Sequence, residues 1–239
     1  MKFSVYAVSD KGGREKNEDS VLLKPMGERL VGVLADGLGA YGSGEIASQI
    51  VTGIFDDSST NSESLGSSYI GQCLQLANQT ILQQQTATCQ MKTTAVVATV
   101  EQDRITLAHV GDSRGYYFKD GILCYQTPDH SIPYLAMMRG EITMDQIRFH
   151  EDRNRLIRAL GGGEQLRVTC KEISLRHTYH SAVLLCSDGF WEYVTETEMQ
   201  TDLAKSETAK DWVGYLLVRA GRRFPPKHDN LSVAAVIIR

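Results

Sequence analysis

Twice in this sequence an apolar run ends abruptly in an Asp-Gly pair. Residues 31–37 read Val-Gly-Val-Leu-Ala-Asp-Gly, and residues 182–189 repeat the pattern as Ala-Val-Leu-Leu-Cys-Ser-Asp-Gly. Such a run is typical of a strand buried on both faces, so the acid at its end lies where the core meets water. A third apolar run, residues 105–112, ends in Asp112, and Asp229 comes just before a fourth run at residues 231–238. The four acids are thus Asp36, Asp112, Asp188 and Asp229. The pattern predicts one acidic pocket assembled from distant parts of the chain.

The size and charge of the chain exclude several classes of protein. With 239 residues, 42% of them hydrophobic, one domain with a substantial core is expected. The net charge of -4 argues against nucleic acid as a partner, because nucleic acid requires a basic face. No apolar run approaches the roughly eighteen residues of a membrane span. The five scattered cysteines indicate reduced, mostly buried thiols, and we expect a cytoplasmic protein with no membrane partner.

Apolar periodicity predicts the order of strands and helices. Strands are expected at residues 3–9, 21–23, 29–36, 94–100, 105–110, 115–118, 122–125, 167–173, 182–186 and 231–238. Helices are expected at residues 43–55, 69–84, 195–203 and 211–222, with Ser43 and Thr195 as N-caps and residues 56–64 as a polar loop. Asp120-Gly121 predicts a type I′ hairpin and no catalytic role. Residues 131–163 lack this periodicity, which is typical of an irregular insertion over a pocket.

The polar loop at residues 10–20 is compatible with two interpretations. It is a hairpin connection with solvated charges, or Arg14 is a planar fork for an oxyanion and Glu18 and Asp19 are ligands of a metal or its water. The loop by itself does not decide between them.

The acids together point to divalent cations. So many carboxylates in one pocket would repel each other unless cations neutralised them; the candidates are Glu18, Asp19, Asp36, Asp112, Asp188 and Asp229. Hard oxygen ligands with few His or Cys nearby favour Mg²⁺ or Mn²⁺ over Zn²⁺. Two such ions about 3.5–4 Å apart activate a bridging water for in-line attack at phosphorus. With Arg14 on the phosphoryl oxygens, the set implies hydrolysis of a phosphate monoester.

Seven short motifs, in order along nearly the whole chain, resemble those of one family. They are residues 12–20 (Gly-Gly-Arg-Glu-Lys-Asn-Glu-Asp-Ser), 35–39 with 44–48, 93–95, 110–114 (Val-Gly-Asp-Ser-Arg), 127–131 (Thr-Pro-Asp-His-Ser), 186–189 and 229–233. Each motif is weak alone, whereas the ordered set is highly specific. The chain resembles the type 2C metal-dependent protein serine/threonine phosphatases, the PPM family, in their compact bacterial form.

The resemblance implies a fold and an activity. The fold would be α+β, a four-layer α-β-β-α sandwich of two antiparallel sheets flanked by helices, forming a single catalytic domain over residues 1–239. Residues 131–154 match the flap that shapes substrate access. The activity would be hydrolysis of phosphoserine and phosphothreonine by attack of a metal-bridging water or hydroxide. The substrates would be phosphorylated proteins, including a Ser/Thr kinase or its substrates. The enzyme would be a monomer.

The resemblance also implies a role for each candidate residue. Asp36 would bridge two metals and Gly37 would contribute its carbonyl, while Asp188 and Asp229 would bind the first metal. Glu18 and Asp19 would hold metal-bound waters, and Arg14 would bind the phosphate. Asp112, with Asp188, matches the position of a weaker third metal. The cofactor would be Mn²⁺ or Mg²⁺.

The chain departs from the family pattern without losing a ligand position. Ala40-Tyr41 stands where many bacterial members have Gly-His, Lys92 replaces a Gly, and Glu151 replaces a Pro of the flap. His109 and His130 are expected to be structural hydrogen-bonding residues. One alternative is a pseudo-phosphatase that binds phosphoproteins, against which the complete acid set counts. A second is a metal-dependent phosphodiesterase or nuclease, against which the acidic charge counts.

Overall fold

A computed structural model of the chain describes residues 1–39, 43–175 and 180–239. The difference between the sequence and the family pattern at residues 40 and 41 lies outside the described residues. No helix among the described residues is long and apolar enough to cross a membrane.

Twelve strands are described, and ten of them form two five-stranded antiparallel sheets. In chain order they are β1 (Phe3–Asp10), β2 (Ser20–Met26), β3 (Arg29–Ala35), β4 (Gly37–Leu38), β5 (Lys92–Thr93), β6 (Ala95–Glu101), β7 (Arg104–Val110), β8 (Arg114–Lys119), β9 (Ile122–Gln126), β10 (Thr169–Ser174), β11 (Ser181–Cys186) and β12 (Leu231–Ile238). The first sheet has the order β1-β12-β11-β8-β9 and the second β10-β7-β6-β3-β2, while β4 and β5 pair separately.

Helices cover the outer faces of the two sheets, and shorter helices form part of the insertion at residues 131–163. They are α1 (Gly44–Ser59), α2 (Ser67–Gln84), α3 (Ile132–Met138), α4 (Asp188–Trp191), α5 (Glu196–Ala204) and α6 (Ala209–Gly221), with a 3₁₀ helix at Met144–Phe149. The predicted capping box of α5 is present, since Thr195 and Glu198 bond each other's backbone N–H. Thr208 and Asp211 cap α6 in the same way.

Three apolar clusters define the four layers. One lies between the two sheets and joins residues such as Leu34 and Val96 to Leu185 and Val236. A second packs α1 and α2 on one sheet, and a third packs α5 and α6 on the other. The α-β-β-α sandwich expected from the family resemblance is therefore confirmed.

Strand β3 explains why its sequence is apolar without alternation. Leu30 and Leu34 face the cluster between the sheets, whereas Val31, Val33 and Ala35 face α1 and α2. Because both faces are covered, each side chain of the run must be apolar. The prediction of a strand buried on both faces is confirmed.

The register of the sheets brings the strand ends that carry acids to one edge. Ala35 at the end of β3 pairs with Ser20, and Val110 at the end of β7 pairs with Ala95. In the facing sheet Cys186, at the end of β11, pairs with Arg114 and Val233. Since Asp36, Asp112, Asp188 and Asp229 follow or precede these positions closely, antiparallel pairing gathers them at one mouth of the sandwich.

Several local predictions need correction. Helix α1 continues through Ser59, so residues 56–59 are helical rather than loop, because Phe55 and Ser59 are buried on its inner face. Ser43 precedes α1 with a left-handed φ of 78° and makes no capping bond with its side chain. Of the five cysteines, only Cys73 and Cys186 are buried, so the expectation of mostly buried thiols is wrong. Asp120 and Gly121 have positive φ angles of 50° and 84°, which confirms the type I′ hairpin.

Candidate active site

A pocket of about 350 Å³ opens where the acid-bearing strand ends meet. Its lining consists of Arg14, Glu18, Asp36, Gly37, Leu38, Gly39, Asp112, Asn154, Leu156, Asp188 and Asp229. Seven of the eight residues predicted for the site line it, and the exception is Asp19. Five carboxylates and one guanidinium thus share one pocket, as the sequence pattern predicted.

The backbone of Asp36 is fixed by two threonines of the neighbouring segment. Its N–H donates to Thr94 Oγ1 at 3.1 Å, and its carbonyl accepts from the Thr94 N–H at 2.9 Å and from Thr93 Oγ1 at 2.8 Å. Thr94 Oγ1 also contacts Ser113 Oγ at 2.7 Å, which links the Asp36 segment to the loop of Asp112. These buried bonds hold the first acid rigidly at the pocket floor.

Glycine is required beside Asp36 because the chain packs backbone against backbone there. A Cβ on Gly37 would overlap the carbonyl group of Gly44, and one on Gly39 would overlap the Glu18 carboxylate. The Gly37 N–H donates to the Glu18 carbonyl at 3.2 Å. The two glycines therefore allow Glu18 to approach the pocket.

Arg14 forms an ion pair with an acid of the pocket. Its Nη2 donates to Asp229 Oδ2 at 2.6 Å, and 60% of its side chain remains exposed. The hydrogen bond to Asp229, and the charge of that residue, raise the pKa of Arg14. The guanidinium is thus placed at the pocket with donors left for an anion.

Asn230 organises the loop that carries Arg14 and Glu18. Its Nδ2 donates to the carbonyls of Lys11 (2.9 Å) and Lys16 (2.8 Å), and its Oδ1 accepts from the Glu18 N–H at 2.8 Å. Sequence reasoning missed this role. The only signal was a polar residue next to Asp229 at the start of a buried strand.

Asp19 lies behind the pocket rather than in its lining. It is 9% exposed, its Oδ2 accepts from Ser187 Oγ at 3.0 Å, and its buried Oδ1 has no hydrogen-bond partner among the described residues. Burial raises the pKa of Asp19 to about 7, and the charge of Asp188 adds to this. A buried carboxylate oxygen without a partner fits a ligand of a cation or of its bound water.

The other central acids repel one another strongly in the protein alone. Burial is the first cause that raises the pKa of Asp36, Asp112 and Asp188. The charge of Asp19 adds to the pKa rise of Asp36, and that of Asp188 to the rise of Asp112. The charge of Asp188 also raises the pKa of Asp36. Bound cations would remove this repulsion.

The donor set fits divalent cations of the Mg²⁺ or Mn²⁺ type. It consists of carboxylate oxygens and a backbone carbonyl, with no Cys or His in the pocket lining. Within residues 1–39, 43–175 and 180–239, no three His, Cys, Asp or Glu side chains already have the spacing of a formed metal site. In this structure Asp229 accepts a hydrogen bond from Arg14, and Asp188 Oδ1 accepts one from the Gly189 N–H at 2.6 Å.

Asp112 is held through its backbone by a buried tryptophan. Trp191 Nε1 donates to the Asp112 carbonyl at 3.0 Å, and the guanidinium of Arg114 lies 3.6 Å from the centre of the indole ring. Arg114 in turn makes a buried bidentate pair with Asp129 at 2.7 and 2.8 Å. The sequence did not predict this contact between Trp191 and a site residue.

The two histidines near Asp112 are hydrogen-bonded, as the sequence analysis expected. Their rings stack with centroids 4.4 Å apart. His109 Nε2 donates to the Pro128 carbonyl at 2.5 Å, and His130 Nδ1 accepts from the Gly111 N–H at 3.2 Å. Burial, followed by the charges of His109 and Arg158, lowers the pKa of His130 to about 3. Both rings are therefore neutral near pH 7.

The sequence matches a known family over most of its length. The profile of the family described as Protein phosphatase 2C matches residues 12–227. The chain is 28% identical over 235 residues to the serine/threonine phosphatase stp of Listeria monocytogenes serotype 4b (strain F2365), which covers 95% of this chain and 88% of that protein. It is 32% identical over 239 residues to the serine/threonine protein phosphatase PstP of Mycobacterium tuberculosis (strain CDC 1551 / Oshkosh), which covers 97% of this chain and 44% of PstP.

Solved structures give the same result. A bacterial serine phosphatase superposes with a TM-score of 0.88 at 26% identity, covering 100% of this chain and 98% of that one. The catalytic domain of PstP in complex with two manganese ions superposes with a TM-score of 0.82 at 28% identity, covering 99% of both chains. With the profile spanning nearly the whole sequence and the same fold in its relatives, this chain belongs to the protein phosphatase 2C family.

Proposed function

We propose that the protein is a metal-dependent phosphatase that hydrolyses phosphoserine and phosphothreonine in phosphorylated proteins. The observation that carries the proposal is the composition of the pocket, in which the exposed guanidinium of Arg14 lies among five carboxylates. The chain that forms this pocket belongs to the protein phosphatase 2C family. Mn²⁺ or Mg²⁺ is the cofactor, as in the PstP structure with two manganese ions.

The acids of the site would act as ligands of two metal ions and of a third, weaker one. Asp36 would be a ligand of both ions, Gly37 would contribute its carbonyl, and Asp188 and Asp229 would bind the first ion. Glu18 and Asp19 would reach the ions through water, which fits the position of Asp19 behind the pocket and its unpartnered Oδ1. Asp112 and Asp188 would hold a third, weaker ion. When bound, the ions supply Lewis-acid activation of a water and neutralise charge at phosphorus.

The chain's own groups bind and orient the phosphoryl group. Arg14 would donate to its oxygens, and this requires the guanidinium to exchange Asp229 for the substrate when that acid takes a cation. Such an exchange is inexpensive because the Arg14 side chain is largely exposed. Asn154, the last residue of the flap, and Leu156, just beyond it, also line the pocket.

The wider setting follows from the same proposal. Residues 1–239 form one catalytic domain, and residues 131–154 serve as the flap, whose base is closed by the bridge between Ser131 and Leu156. The substrates include a Ser/Thr kinase or the proteins that it phosphorylates, and the enzyme acts as a cytoplasmic monomer.

Phosphate release from a phosphoserine or phosphothreonine peptide tests the reaction class. With Mn²⁺ present, the protein is expected to release phosphate from these peptides and to leave bis(p-nitrophenyl) phosphate and single-stranded DNA intact. Hydrolysis of the diesters would favour a phosphodiesterase or nuclease instead. Binding of the phosphopeptide without any release would favour a pseudo-phosphatase.

A pair of isosteric variants assigns the activity to the pocket. Asp36→Asn is expected to reduce turnover roughly a hundredfold or more, because a lost ligand removes several kcal/mol of charge stabilisation. Asp57→Asn is the control, because Asp57 is exposed on α1 and does not line the pocket. Equal turnover of the two folded variants would contradict the assignment of Asp36.

A further inference from the structure

The loop between β7 and β8 places Asp112 in the pocket through a residue with an unusual backbone. Gly111 has a φ of +107°, and a Cβ there would lie 2.7 Å from Cβ and Cγ2 of Thr94. Glycine is therefore required, but glycine is also the residue with the most conformational freedom. Something other than Gly111 itself must hold the loop.

His130 holds Gly111 from both sides. Its Nδ1 accepts from the Gly111 N–H at 3.2 Å, while its own backbone N–H donates to the Gly111 carbonyl at 2.9 Å. Both peptide groups that flank the flexible Cα are thus occupied by one buried residue, which is 5% exposed. Asp112 is the next residue along the chain.

The second ring nitrogen of His130 fixes which tautomer is present. Because Nδ1 accepts a hydrogen bond from a backbone amide, the neutral ring must carry its hydrogen on Nε2. That nitrogen lies 2.9 Å from Thr169 Oγ1, which can accept, and 3.2 Å from Arg158 Nη1, which can only donate. The Nε2–H ring therefore bonds to Thr169, and this bond sets the orientation that presents Nδ1 to Gly111.

His130 also connects the loop of Asp112 to the segment just after the flap, which contributes Leu156 to the pocket lining. Its carbonyl accepts from the Ile157 N–H at 2.8 Å, and Ser131, the next residue, bridges to Leu156. Leu156 lines the pocket with Asp112. His130 thus contacts the backbone of Gly111, next to Asp112, and the backbone of Ile157, next to Leu156.

We propose that His130 is a positioning residue for Asp112: as the neutral Nε2–H tautomer it accepts a hydrogen bond from the Gly111 N–H and fixes the Asp112 carboxylate relative to Leu156, just beyond the flap. The inference rests on the proposed function, in which Asp112 binds a weak third ion needed for turnover. His130 touches neither the substrate nor an ion, and acts only through Gly111.

Two substitutions separate positioning from packing. In His130→Asn, the side-chain oxygen can occupy the place of Nδ1 and accept from Gly111, but the side chain does not reach Thr169. In His130→Gln, the amide reaches toward Thr169 and leaves Gly111 without its acceptor. Gln is closer to His in volume, so a role in packing alone would make Asn the more damaging change.

Steady-state kinetics with p-nitrophenyl phosphate and Mn²⁺ give the first result. His130→Asn is expected to keep kcat within about threefold of the wild type, and His130→Gln to lower it about tenfold, the size expected for one lost hydrogen bond. KM should change little in either, since Arg14 is untouched. In an Asp112→Ala background the Gln variant should cause no further loss. The reverse order of the two variants, or fully independent effects with Asp112→Ala, would overturn the proposal.

Nuclear magnetic resonance of the metal-free protein gives a second result that does not depend on activity. The ¹⁵N shifts of the His130 ring should show an unprotonated Nδ1 and a protonated Nε2 in the wild type. The Gly111 amide should be protected from hydrogen exchange in the wild type and in His130→Asn, and lose that protection in His130→Gln. A protonated Nδ1 in the wild type would overturn the proposal even if no variant folded. A wild type with this tautomer but without hydrolysis would instead contradict the proposed function.

Discussion

At the scale of single residues, the proposed role of Arg14 requires one side chain to pair with two anions in turn. In the protein alone it is paired with Asp229 at 2.6 Å, yet most of its side chain is exposed to the pocket mouth. An exposed ion pair contributes little to stability, so exchanging one anion for another costs little. A phosphoryl group can therefore take the place of Asp229 at the guanidinium.

Replacement of Arg14 by alanine tests this role. Arg14→Ala is expected to raise KM for p-nitrophenyl phosphate about tenfold with a small effect on kcat, because the bond to phosphate is made in both the ground and the transition state. Lys16→Ala is the matched control, since Lys16 is also exposed in this loop but pairs with Glu45 outside the pocket. A fall in kcat alone would mean that Arg14 acts only in the transition state.

The site residues differ in how far the sequence could reveal them. Asp36, Asp112, Asp188 and Asp229 were predictable because each stands at the end of a buried strand, and antiparallel register gathers such ends. Trp191 and Asn230 were not, because their contacts are hydrogen bonds to backbone groups far away in the sequence. A tryptophan in a core and a polar residue before a strand look ordinary until the fold brings their partners close.

At the scale of elements, burial determined which predictions were right. Strand β12 was predicted with its observed bounds, since each of its eight residues is buried. The end of α1 was missed because Asp56, Asp57 and Ser58 look like a loop, whereas the contacts of Phe55 and Ser59 with the core continue the helix. Tertiary packing thus outweighed local composition, as it often does at helix ends.

The cap of α6 provides a test at this scale. Thr208 Oγ1 accepts from the Asp211 N–H at 3.1 Å, so Thr208→Ala is expected to lower the free energy of unfolding by about 1 kcal/mol. In a domain of this size that corresponds to roughly 2–4 °C in Tm, with unchanged phosphatase activity. The control is Thr201→Ala, an exposed position inside α5 whose hydroxyl donates only to the Thr197 carbonyl. An equal loss in both variants would rule out the capping bond as the cause.

At the scale of the whole molecule, the acidic pocket makes stability depend on pH and on metal. The folded-state pKa of Asp19 is raised to about 7, and burial also raises those of Asp36 and Asp112. The unfolded chain releases these protons at much lower pH. The folded state therefore binds more protons, and the metal-free protein loses stability as pH rises through the folded-state values.

Thermal unfolding between pH 6.5 and 8.5 measures this effect. In EDTA, Tm is expected to fall over this range, with a loss of up to about 1.4 kcal/mol per pH unit from each titrating carboxyl group. The buried histidines act in the opposite direction near pH 6.5, because the pKa of His109 and of His130 is lowered in the folded state whereas the unfolded side chains are still about half protonated. The effect of the carboxyl groups on Tm is therefore read above about pH 7.5, where the histidines are neutral in both states. With Mn²⁺, Tm should be higher and the fall should disappear, since the cation replaces the protons. A flat profile in EDTA would contradict the electrostatic account of the pocket.

The most direct test of the proposed reaction is p-nitrophenyl phosphate hydrolysis by the purified protein with Mn²⁺, with Mg²⁺ and with EDTA. We predict turnover with a divalent cation, its loss in EDTA, and its return when Mn²⁺ is restored in excess. Hydrolysis that persists in EDTA, or none with either metal in a protein shown to be folded, would contradict the conclusion that the carboxylates of this pocket form a metal-dependent phosphatase site.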